Sequence, residues 1–125
     1  MGSTGPTVNA SLDGREALVD AYGCDAVALR SLPVLEALFE RAVRELDLHP
    51  VGEARWHVFP DQGGITGLLL LAESHLACHT YPERELATFN LYCCRPREDW
   101  PWQERLSESL RAKRVVVRCL SRGAP

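Results

Sequence analysis

The chain has 125 residues, 46% of them hydrophobic and 25% charged, with a net charge of −3. That is the size and composition of one globular domain with room for a core. The mild acidity and the lack of a basic stripe argue against nucleic acid as a partner, and no apolar run reaches the ~18 residues that suggest a membrane span.

The N-terminus, Met1-Gly2-Ser3-Thr4-Gly5-Pro6, lacks the basic-then-apolar pattern of a secretory leader. Residues 1–12 read as a disordered lead and 13–125 as a single domain. The five cysteines (Cys24, Cys78, Cys93, Cys94 and Cys119) are odd in number, and two are adjacent. A reducing cytoplasm fits them better than a disulfide framework. Cys78-His79 and Cys93-Cys94 are neighbours that point to opposite faces of a strand, which argues against a metal site.

Val19 to Cys24 is a candidate strand. Ser31-Leu32-Pro33 opens a helix, with Ser31 as cap and proline in the first turn. Val34, Leu35, Leu38, Phe39, Ala42, Val43 and Leu46 follow at helical spacing, and His49-Pro50 ends the pattern. Strand candidates come next. Ala54, Trp56 and Val58 alternate with Arg55, His57 and Phe59. Ile65 to Ala72 is almost continuously apolar, as a buried central strand would be. His75 to Thr80 pairs back after a tight turn. Ala87 to Cys93 puts Phe89, Leu91 and Cys93 on one face and Asn90, Tyr92 and Cys94 on the other. Pro96 and Pro101 mark a loop. A second helix runs from about Trp102 to Lys113 with Trp102, Leu106 and Leu110 inward, and Arg114 to Leu120 is a last strand.

Consecutive strands with short links pair antiparallel most easily. The order implies an α+β fold, a two-layer α/β sandwich with a mainly antiparallel sheet and two helices on one face. The other sheet face would meet water or a second subunit.

The chemistry-bearing stretch is Leu71-Ala72-Glu73-Ser74-His75-Leu76, with Gly64-Ile65-Thr66-Gly67 upstream and His79 and Cys94 downstream. By itself Ser74 reads most simply as a turn serine. With its neighbours it suits backbone self-cleavage. The Ser74 hydroxyl attacks the Glu73 carbonyl, converting peptide to ester, with Thr66 as donor to the developing oxyanion. His79, as base, removes the serine α-proton so that the ester is eliminated. Hydrolysis of the resulting dehydroalanine leaves a pyruvoyl group at residue 74 and releases ammonia. Such a ketone condenses with an amine to a Schiff base and acts as an electron sink for decarboxylation. A carbanion formed there needs a proton donor; Cys94 has the right chemistry, against a plain reading as a small core residue.

These motifs resemble the bacterial S-adenosylmethionine decarboxylase proenzyme family, which is pyruvoyl-dependent and serves polyamine synthesis. The likeness runs from about Gly14 to Gly123. It is carried by Gly64-Ile65-Thr66-Gly67, Ala72-Glu73-Ser74-His75-Leu76, His79-Thr80-Tyr81-Pro82-Glu83 and Tyr92-Cys93-Cys94, with weaker echoes in Tyr22-Gly23-Cys24-Asp25 and Ala112-Lys113-Arg114-Val115. The resemblance implies cleavage between Glu73 and Ser74, a covalent pyruvoyl cofactor from Ser74, processing roles for His79 and Thr66, and Cys94 as proton donor. It makes Phe59 the aromatic that stacks on the substrate and Glu83 a substrate-contacting carboxylate. His75 either lines the site or merely follows the cut. It also implies a homodimer of processed protomers, with sites at or near the interface, producing the aminopropyl donor for spermidine.

The chain departs from the family pattern in several places. Tyr81 replaces a tryptophan, Asn90 an aspartate, Cys93 a threonine, and Glu16 a frequent histidine. Arg95 stands where a glycine usually follows Cys94, and one extra residue appears in Asp61-Gln62-Gly63-Gly64. Asp20 reads equally as a buried acid near the site or an exposed strand residue. Three functions stay open: decarboxylation of S-adenosylmethionine, decarboxylation of ornithine or arginine by the same chemistry, or a non-catalytic homologue.

Overall fold

A computed structural model describes residues 14–72, 74–94 and 99–123. In chain order they form β1 (Gly14–Tyr22), α1 (Ala26–Leu29), α2 (Leu32–Leu46), β2 (Arg55–Val58), β3 (Ile65–Leu71), β4 (Ser74–Tyr81), a 3₁₀ turn (Pro82–Arg84), β5 (Leu86–Cys93), α3 (Trp102–Leu110) and β6 (Arg114–Arg122). The strands make one six-stranded sheet in the order β2-β3-β4-β5-β1-β6. Every neighbouring pair is antiparallel. The helices cover one face of it, giving the expected α+β sandwich.

Local chemistry explains the helices. Ser31 Oγ accepts from the Val34 amide, and Pro33 lies in the first turn of α2, where its missing N–H costs nothing. Leu35, Leu38, Phe39, Ala42 and Leu46 are buried along one stripe. Each large apolar side chain removed from water contributes about 1.5–3 kcal/mol. Asp47, in the left-handed region at φ 53°, closes the helix before His49-Pro50 is reached. In α3, Trp102, Leu106 and Leu110 point inward, and Arg111 (φ 58°) stops the helix short of Lys113. The one-turn α1, capped by Asp25, was not anticipated; four residues carry too little periodicity to register.

Strand boundaries also differ from expectation. β1 begins at Gly14 rather than Val19; its first residues, Gly14-Arg15-Glu16, are too polar to register as a strand. It is a central strand, flanked by β5 and β6. β6 runs on to Arg122 in register with it. In β3, Ile65, Gly67, Leu69 and Leu71 are buried under the helices, but Leu68 and Leu70 are 50% and 56% exposed. One chain therefore buries only half of the apolar run. Leu120 on β6, on the same uncovered side, is 47% exposed.

The two glycines around Thr66 have packing roles. A Cβ on Gly67 would collide with the Trp56 ring, and one on Gly64 would come within 2.7 Å of the Thr80 carbonyl oxygen. The bare Gly67 lets Trp56 cross β3 and pack on Phe39, ring centroids 4.7 Å apart.

Candidate active site

The candidate residues fall at opposite ends of the β3–β4 pair, Thr66 and His79 on its uncovered face and Ser74, paired with the buried Leu71, at the other end. At one end Thr66 on β3 and His79 on β4 are direct cross-strand partners. Thr66 Oγ1 and His79 Nδ1 are 3.1 Å apart, a hydrogen bond whose donor depends on the ring tautomer. His57, on the edge strand β2, pairs across from Thr66. Its ring meets Phe59 edge-on at 4.6 Å. Phe59 is 48% exposed, and Glu83 sits exposed in the 3₁₀ turn that follows β4.

At the other end Ser74 opens β4 straight after the β3–β4 hairpin, half-buried and paired with Leu71. Glu73 lies outside the described residues, as do residues 1–13, Arg95 and Pro96. His75 pairs with Tyr92. Continuing that register sets Cys93 beside Ser74 and Cys94 one residue further, within roughly 6 Å between Cα atoms at ordinary sheet spacings. Cys94 is half-buried. Burial pushes the Cys24 thiol up to about 11 and the Cys78 thiol up to about 12, so neither offers a thiolate.

Ser74 is thus close to Cys94 and remote from His79. The latter pair are five positions apart on one extended strand, a span of ~16 Å at ~3.3 Å per residue.

A polar chain links the Ser74 end to the far strands. His75 Nε2 is 2.7 Å from Asn90 Oδ1, Asn90 Nδ2 donates to Glu16 Oε2 at 2.6 Å, and Arg122 donates to Glu16 Oε1 at 2.6 Å. Hydrogen bonds from Asn90 and Arg122 hold the Glu16 carboxyl below the ordinary glutamate range. Asp20, half-buried, pairs with Arg118 at 3.1 Å. Sequence reasoning noticed Glu16 and Asn90 only as unusual residues and missed Arg122. Their alternation on strands marked the shared face, but their meeting depends on the pairing of β5 with β1, whose starts, Gly14 and Leu86, are 72 residues apart in the chain.

Trp100 and Trp102 pack edge-on at 4.8 Å in the helical layer, and Trp100 Nε1 donates to Glu45. Among the described residues no group of three or more His, Cys, Asp or Glu side chains is arranged to hold a metal ion. None of their helices is long and apolar enough to cross a membrane.

The family model described as S-adenosylmethionine decarboxylase matches residues 15–123. The chain belongs to the S-adenosylmethionine decarboxylase family. A relative named S-adenosylmethionine decarboxylase proenzyme, from Acetivibrio thermocellus, is 33% identical over 112 residues, covering 88% of each chain. One of the same name from Aquifex aeolicus is 33% identical over 88% of this chain and 81% of its own length. The crystal structure of the adenosylmethionine decarboxylase from Aquifex aeolicus superposes with a TM-score of 0.73 at 30% identity, covering 90% of this chain and 92% of that one.

Proposed function

We propose that this family member is a cytoplasmic proenzyme that cuts itself between Glu73 and Ser74 and then decarboxylates S-adenosylmethionine. The product would be the aminopropyl donor for spermidine. The observation that carries this reading is the separation of the candidate residues along β4: a hydrogen-bonded Thr66–His79 pair at one end, and Ser74, with Cys94 near it, at the other. The match of the chain to its family supports it.

The fold suits a pyruvoyl group at residue 74. That position begins a strand held by β3 on one edge and β5 on the other, so a break before it would leave the new terminus in place. When present, that group supplies a ketone that acts as an electron sink for loss of CO2. Cys94, one residue past the end of β5 and near residue 74, is suited to return a proton to the product carbon. Phe59 offers a π face to a sulfonium or adenine, and Glu83 a carboxylate to hydroxyl groups.

Because His79 and Ser74 of one chain are separated along β4, the reading requires two copies. Packing the uncovered faces together in opposite sense would bring Thr66 and His79 of one copy to Ser74 of the other. The exposed Leu68, Leu70 and Leu120 would be covered in the same step.

Intact mass of freshly purified protein under denaturing conditions tests the first half. Fragments 1–73 and 74–125, the second carrying a ketone in place of its amine, are expected. An uncut chain of 13.9 kDa would favour a non-catalytic homologue. CO2 release from a panel of S-adenosylmethionine, ornithine and arginine tests the second half. Turnover of the basic amino acids alone would overturn the substrate.

A further inference from the structure

The Arg122–Glu16–Asn90–His75 chain fixes more than position. An ionised carboxylate can only accept hydrogen bonds. Glu16 takes Arg122 at one oxygen and Asn90 Nδ2 at the other. The orientation of the Asn90 amide is thereby set: its nitrogen faces Glu16, so its carbonyl oxygen faces His75 Nε2 at 2.7 Å. A carbonyl oxygen has no proton to give, so Nε2 must carry one. In the neutral ring that leaves Nδ1 bare, and among the described residues Nδ1 has no partner.

The ring is held from its faces as well. His75 stacks on Tyr92 at 5.8 Å and 24° between planes. The Arg122 guanidinium lies 5.9 Å from the centre of the same Tyr92 ring. Tyr92 in turn lies over Gly14, where any Cβ would strike its hydroxyl. On β3 the residue opposite His75 is Leu70, which offers no hydrogen bond.

We propose that Glu16, acting through Asn90, is a positioning residue that fixes His75 as its Nε2–H tautomer, leaving Nδ1 to accept a proton from the amine of the incoming substrate. The identity of that amine rests on the decarboxylase reading; the tautomer does not. An amino acid's amine arrives as an ammonium at neutral pH and must lose a proton before it can attack a ketone. His75 follows Ser74 at the start of β4; their side chains leave the strand on opposite faces, but both stand at the strand's open end, and Nδ1 is the ring nitrogen nearest the main chain. One proton passes from the ammonium to Nδ1, giving a free amine and an imidazolium. Asn90 accepts from Nε2–H in both states, so the transfer needs no rearrangement of the network.

The test is the nitrogen spectrum of the His75 ring in 15N-labelled purified protein at mildly alkaline pH. A protonated Nε2 and a bare Nδ1 are expected. In Glu16→Gln the partner of Asn90 can donate as well as accept, so the amide is free to turn and the ring should shift toward the Nδ1–H form. In the same variant KM should rise roughly tenfold, the worth of one charge-assisted hydrogen bond, with kcat within about twofold. Glu16→Asp, which restores an acceptor-only side chain, should return the tautomer and KM toward the parent. A parental ring protonated at Nδ1, or an unchanged tautomer in Glu16→Gln, overturns the proposal. The parental spectrum decides the tautomer even if a variant fails to fold. The expected tautomer in a protein that does not turn over S-adenosylmethionine would count against the decarboxylase reading alone.

Discussion

If His79 of one copy serves Ser74 of another, two chains that cannot cut themselves should restore cutting when mixed. The geometry sets the expectation. The two residues are separated by ~16 Å along β4, whereas a histidine ring reaches only roughly 6 Å from its Cα, summing bonds near 1.5 Å. The strand is held straight by ladders on both sides, so it cannot fold back without breaking them. Within one chain the proton transfer is out of reach, and a His79→Ala chain should stay uncut because every site it forms lacks its base.

Co-expression of His79→Ala with Ser74→Ala changes that. Each mixed pair holds one site with Ser74 from the first chain and Thr66–His79 from the second, and one site lacking both. Random pairing of equal amounts makes about half of the pairs mixed. About half of the His79→Ala chains should therefore be cut, and none of the Ser74→Ala chains. Intact mass reads both fractions directly if the chains differ by a tag. No cutting in the mixture, while each chain alone is folded, would refute the two-copy site. Cutting of His79→Ala alone would refute His79 as the base.

Other consequences follow from the same placements. Leu70→Glu puts a charge on the uncovered face at a residue 56% exposed in the single chain; light scattering should show a shift from dimer to monomer, and self-cleavage should slow with it. Cys94→Ala should leave cleavage intact but lower kcat about 10²–10⁴-fold, the usual worth of a positioned proton donor, measured as CO2 release. Gly67→Ala forces a Cβ into the Trp56 ring; it should cost about 1–3 kcal/mol, read by denaturant melting. Glu45 is held down to about 2 by hydrogen bonds from Arg41, Trp100 and Arg105. A depressed carboxylate stabilises the fold above its unfolded pKa and loses that contribution as pH falls through the folded one. Glu45→Gln should therefore melt lower than the parent at pH 7, with the difference fading between pH 4.5 and 2.

Much of this arrangement was legible in the sequence because its signals are local. The Ser31 cap, the α2 stripe and the alternation of Phe89, Leu91 and Cys93 each need only a few neighbouring residues. The Glu73-Ser74-His75 and His79 elements were recognisable for the same reason. The Glu16–Asn90 contact was not, since it depends on the return of the chain to the first strand after most of the domain has been built. The apolar run of β3 was misleading in an informative way: its composition describes a strand covered on both faces, whereas a single chain covers one.

That mismatch and the split site have one physical origin. A domain of this length supplies a single sheet and helices for only one side of it. Residues of odd number on β4 and even number on β3 and β5 all project from the remaining side, so polar and reactive groups there are set against exposed leucines. Strand spacing then fixes the distance between Ser74 and His79, and no side-chain substitution could shorten it. On the proposed two-copy site, a second copy turned end for end would solve both problems together: it would cover Leu68 and Leu70, and it would carry a Thr66–His79 pair to the end where Ser74 lies. The uncut monomer would then be inert, and assembly, rather than any change within the chain, would start the chemistry.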